Sequence, residues 1–172
     1  MQLVFSSNKE FVLNKLEYEA LWQVHCEKIQ FSFKMITGLS FKEDTIDSIV
    51  GNYESNFAGN ALNEPMLFRF SVRHKLGTIF HELAHRLLLE YQFQYGGILE
   101  NNHELIDLFL YDVIQESFGE SAARERVNYE CTFPGLEIPD AWNKILEHSR
   151  SKRQELWKAV LKNTPISQCI NN

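Results

Sequence analysis

Cysteine is scarce in this 172-residue chain. Cys26, Cys131 and Cys169 are odd in number, far apart and without a CxxC pair, which argues against a disulfide framework and against a structural zinc knuckle. No apolar run approaches the roughly 20 residues of a membrane-spanning helix. The start, Met1-Gln2-Leu3-Val4-Phe5, lacks the apolar stretch of a signal peptide. These absences set the expectation of a soluble, cytoplasmic protein with no membrane partner. A dense run of basic residues is missing as well. Arg150-Ser151-Lys152-Arg153 is the nearest approach, and with a formal net charge of -6 the chain is poorly suited to tracking phosphates, so no nucleic-acid partner is expected. Internal repeats and low-complexity tracts are absent.

Hydrophobic residues, by contrast, make up 44% of the chain and aromatics 13%. That is enough for one well-buried core and too little chain for two ordinary domains, so residues 1–172 are expected to form a single domain. Within this background stands His81-Glu82-Leu83-Ala84-His85, an HExxH sequence. Leu76, Ile79, Phe80, Leu83, Ala84, Leu87 and Leu88 recur at three- and four-residue spacing, which predicts an amphipathic helix from about Arg73 to Gln92. On a helix, residues four apart lie on one face, so His81 and His85 can grip one metal ion while Glu82, about 100° round, borders the same site. Zinc takes neutral nitrogen donors, and a carboxylate beside a zinc-activated water can take its proton as it attacks a carbonyl. The spacing therefore points to zinc-dependent hydrolysis, with a peptide bond as the usual target.

A catalytic zinc needs a third protein ligand. Metzincins place a Gly and then a His shortly after the first pair; this chain has Leu88 and Tyr91 there, which excludes that family. Tyr95-Gly96-Gly97 is a stop signal, after which Asn101-Asn102-His103-Glu104-Leu105-Ile106-Asp107 opens a second periodic segment. Here the chain resembles the gluzincin branch of the zincin metallopeptidases, in which a helix after HExxH carries Glu-x-x-x-Asp, the Glu binding zinc and the Asp orienting a histidine. The register departs from that pattern, because His103 stands where the spacing to Asp107 calls for Glu, and Glu104 is one residue out. Two assignments are open. His103 and Asp107 share a face, which keeps a ligand and an orienting carboxylate together, and a helix start favours neutral imidazole. Glu104 is three residues after Asn101, the spacing of a capping box. We read His103 as the third ligand with Asp107 behind it, and Glu104 as the competitor. SprT-like proteases are also similar in using HExxH and a later His, but the usual Gly after that His, the zinc ribbon and the DNA-binding tail are not seen.

Elsewhere the pattern predicts a long first helix from Glu10 to Met35, carried by Leu13, Leu16, Tyr18, Leu21, Val24 and Ile29 and covering one side of a small sheet. Strands are expected at Thr45–Val50 and Met66–Val72, separated by the Gly- and Asn-rich stretch Gly51–Asn63. Either could bind extended substrate at an open edge. After a turn at Gly119 come a short helix to about Tyr129, a loop at Phe133-Pro134-Gly135 and a last helix from Pro139 to about Asn163. His148, Tyr111, Tyr129 and Arg126 have the chemistry to hold a developing oxyanion. The expected architecture is α+β, a mostly helical zincin-like domain with a small sheet packed on the HExxH helix. The expected activity is that of a zinc metallopeptidase acting on a peptide or protein substrate, with ligands His81, His85 and His103 and the base Glu82. The competing expectation is a non-catalytic metal-binding module that keeps this fold for interaction or regulation.

Overall fold

The structure is a computed structural model; it describes residues 1–52, 64–91, 93, 102–132 and 138–164. The fold is α+β and mostly helical, as the sequence pattern predicts. Contacts gather into two compact units, Met1–Glu90 and Tyr91–Asn172. Among the described residues no helix is long and apolar enough to cross a membrane.

The first unit holds three parallel strands in the order β1-β2-β3, namely β1 (Gln2–Ser7), β2 (Thr45–Gly51) and β3 (Met66–Arg69). Parallel neighbours need a crossover, and α1 (Val12–Thr37) supplies it between β1 and β2. β1 was not expected, although Leu3 and Phe5 turn inward between outward Gln2, Val4 and Ser6, the two-residue alternation of a half-buried strand. β3 is shorter than the expected Met66–Val72, its pairing ending at Arg69 opposite Gly51. As predicted, α1 covers the sheet. Tyr18 stacks on Phe5 and tilts against Phe68, centroids 5.8 and 5.0 Å away, and its hydroxyl donates to the carbonyl of Arg69 at 3.0 Å. Gly38, at φ 75°, ends the helix in the left-handed conformation that glycine adopts without a Cβ clash.

The apolar residues of α1 do not share one fate. Tyr18, Trp22, Ile29 and Phe33 are buried, whereas Leu13, Leu16 and Val24 from the predicted set are exposed on another side. The motif helix α2 (Lys75–Glu90) meets α1 through Phe80 on Phe33, centroids 6.1 Å apart.

In the second unit, α3 (Asn102–Phe118) packs with α4 (Glu120–Glu130), α5 (Ile138–Leu146) and α6 (Arg150–Asn163). Phe93 and Phe109 pack on Trp157, centroids 5.4 and 4.8 Å away. Gly119 separates α3 from α4 at φ 86°. The single helix expected from Pro139 to Asn163 is two, because Ser149 is extended and its hydroxyl caps α6 by accepting from the amide of Lys152 at 3.3 Å. Most of the Gly51–Asn63 stretch, Tyr95-Gly96-Gly97, Asn101 and the Phe133-Pro134-Gly135 loop lie outside the described residues.

Candidate metal centre

The motif folds as its periodicity requires. His81, Glu82 and His85 all lie on α2 and are buried. The Nε2 atoms of His81 and His85 are 3.1 Å apart, with the rings inclined by 67° and their centroids 4.8 Å apart. Two nitrogens at 2.0–2.1 Å from a tetrahedral zinc would lie about 3.3 Å apart, so the pair has the convergence that a shared ion demands. The same spacing suits a hydrogen bond, with one Nε2 carrying the proton; metal binding requires both lone pairs to be bare.

Fixing this helix is a polar network that the sequence pattern did not reveal. Arg86, directly after His85, has almost no exposed surface. Its Nε and Nη2 donate to the two carboxylate oxygens of Glu43 at 2.6 Å each, and its Nη1 donates to the carbonyl of Glu64 at 3.2 Å. One turn later, Glu90 accepts from the amide of Lys42 at 2.8 Å, while the Lys42 ammonium donates to the Glu90 carbonyl at 3.0 Å. Burial pushes the Glu90 carboxyl up from 4.5 to about 7; the Lys42 amide opposes this, and the neighbouring Glu43 carboxylate adds to it. The segment between α1 and β2 thus clamps the last turns of α2. Arg86 and Glu90, charged residues among Leu83, Leu87, Leu88 and Leu89, were the only sign of it in the sequence.

In the second unit, His103 is half-buried in the first turn of α3. Its neighbour Glu104 is buried and accepts from the Lys144 ammonium of α5 at 2.9 Å. Glu104 therefore has a described structural partner other than the capping box, whose Asn101 is outside the described residues. Asp107 has no exposed surface, and neither of its oxygens accepts a hydrogen bond from a described residue. Burial drives its carboxyl well above the ordinary range, with Glu130 and Glu104 adding to the shift and Arg126 opposing it.

Of the four oxyanion candidates, Arg126 is buried, paired with Glu130 and set over the Tyr129 ring. Glu130 also accepts from the Trp142 indole at 2.5 Å. Tyr111 lies under the guanidinium of Arg153, which grips Asp112 through Nε and Nη2 at 3.2 and 2.5 Å and the His148 carbonyl at 2.7 Å. Arg126 and Tyr129 are thereby tied to each other, and Tyr111 and His148 to Arg153. Tyr111, Arg124, Asn128 and Arg153 line a cavity of about 330 Å³. No protein-family model, no curated protein and no solved structure matches the chain.

Proposed function

We propose that the chain is a zinc-dependent metallopeptidase resembling a minimal gluzincin, in which His81, His85 and His103 hold the ion and Glu82 is the general base. The observation that supports this most is the 3.1 Å approach of the His81 and His85 Nε2 atoms on one buried helical face. The choice of His103 rests on ligand count and on the commitment of Glu104 to Lys144. Asp107, four residues on, has both carboxylate oxygens open to accept from an imidazole N–H and so to fix its tautomer.

When bound, zinc supplies Lewis acidity, polarising a substrate carbonyl and drawing the pKa of a water toward ~7. The chain's own part is positional. Glu82, about 100° round the helix from His81, is the base that takes a proton and returns it to the leaving amine. Its helix is kept in place by the Arg86–Glu43 and Glu90–Lys42 contacts.

The direct test is elemental analysis of protein purified without added zinc, followed by zinc titration, chelation and assay on an unfolded protein substrate. One zinc per chain, a lower melting temperature after chelation and zinc-dependent cleavage are the expected results. Far less than one equivalent with no uptake would overturn the reading. One equivalent with no turnover would turn it toward a non-catalytic metal module.

A further inference from the structure

The helix α1 has two apolar faces, and only one is buried. Tyr18, Trp22, Ile29 and Phe33 face the interior, while Leu13, Leu16, Ala20, Val24, Phe31 and Met35 are exposed. Leu13, Ala20, Val24, Phe31 and Met35 fall within about 60° of arc, and the stripe runs for roughly 33 Å along the helix. Leu13 is 76% exposed, Val24 73%, Met35 60%, Phe31 58% and Leu16 49%. Such continuous apolar exposure marks an interaction surface.

We propose that this stripe pairs with the same stripe on a second copy of the chain, the two α1 helices running antiparallel about a two-fold axis. Three observations carry it. At roughly 100–130 Å² per large side chain, the four large residues of each stripe together bury on the order of 1,000 Å² in two copies, the size at which a specific interface begins. The stripe is self-complementary in shape: an antiparallel register that sets Leu13 against the partner's Phe31 also sets small Ala20 against the partner's Val24 at the centre. It is self-complementary in charge too. The same register puts Glu17, whose carboxylate Lys75 of its own chain holds at 3.0 Å on one border of the stripe, beside the partner's Lys28 on that border, so that a second cation meets the carboxylate, and two-fold symmetry makes the contact twice. A lipid surface fits less well, since Glu17 and Glu27 lie along the stripe and the chain is acidic. The inference does not depend on the metal.

Sedimentation velocity of the full chain from about 1 to 100 µM tests the pairing. A concentration-dependent dimer is expected. Leu13→Glu with Phe31→Glu should weaken association roughly a hundredfold or more, with far-UV circular dichroism and melting temperature unchanged because both sites are exposed. If that variant fails to fold, Val24→Lys carries the same test with one substitution. In a Lys75→Gln background, which removes the cation that pairs with Glu17 within the chain, Lys28→Glu should weaken the dimer about tenfold, and adding Glu17→Lys should restore it. A monomer throughout would overturn the proposal, as would a dimer indifferent to Leu13, Phe31 and Val24. Failure of the charge exchange to restore association would overturn the antiparallel register. A monomer that binds phosphatidylcholine–phosphatidylglycerol vesicles through Val24 would overturn the proposal in favour of a membrane surface.

Discussion

Arg86 and Glu43 meet through two parallel contacts of 2.6 Å, one residue past the second histidine of the motif and 43 residues apart in the chain. This fork-on-fork geometry is the strong form of an ion pair, and it joins the motif helix to the segment that follows α1. Glu43→Gln would leave a buried guanidinium without its counter-charge and should cost about 3 kcal/mol in urea unfolding. The double variant Arg86→Met with Glu43→Gln should lose less than Glu43→Gln alone. Equal or larger loss in the double variant would show that the pair contributes more than it costs to desolvate.

Glu90 sets the pH response of the same segment. Its folded pKa is about 7 against an ordinary 4.5, so between those values the folded protein keeps a proton that the unfolded chain gives up. Stability must fall as pH rises through that window and level off above it, by about 1–2 kcal/mol for this group once solvent screening is allowed for. Glu90→Gln retains an oxygen for the Lys42 amide and cannot ionise. In metal-free protein, the wild type minus variant difference in unfolding free energy should therefore decrease from pH 5 to pH 8. A difference that grew with pH would contradict the assignment.

The base and the ligands separate by substitution. Glu82→Gln should keep zinc and lose hydrolysis by orders of magnitude, whereas His81→Ala should lose both. Metal content and turnover, measured on the same preparations, decide it. Full turnover by Glu82→Gln would remove Glu82 from the mechanism.

His103 and Glu104 differ in what their removal should break. His103→Ala should sharply weaken zinc binding with little effect on the metal-free fold. Glu104→Ala should leave zinc nearly intact and destabilise the second unit, since it strips the buried partner of Lys144. Competition with a chelator reads the first effect and metal-free melting the second. Zinc lost from Glu104→Ala and kept by His103→Ala would restore the ordinary gluzincin carboxylate.

Asp107→Asn pulls two readouts in opposite directions. Removing a fully buried carboxyl that Glu130 and Glu104 crowd should leave the metal-free protein as stable or more stable at pH 8. If Asp107 orients a zinc-binding imidazole, zinc affinity should nonetheless fall ~10–100-fold. Unchanged affinity would make Asp107 part of the helix packing only.

By itself the sequence determined the local periodic structure and the two motif histidines. His81 and His85 are four residues apart, and a helix rise of 1.5 Å per residue with 3.6 per turn brings them to one face whatever surrounds them. The β2 and β3 strands, α1 over the sheet and α2 followed by a, for most of its length, buried α3 were legible for the same reason, because period 2 and period 3.6 are properties of consecutive residues. Tertiary structure decided the rest. The Glu43 partner of Arg86 and the Lys144 partner of Glu104 are about 40 residues away in sequence, and no spacing rule reaches that far. The break at Ser149 depended on a single hydroxyl capping an amide, in a polar stretch between Leu146 and Leu156 where periodicity gives no reading either way. Nor could periodicity say which of two apolar faces of α1 would be covered, since both repeat at helical spacing. The sheet takes the face carrying Tyr18 because the rings of Phe5 and Phe68 are there to receive it, while Leu13 and Val24 are left uncovered by their own chain.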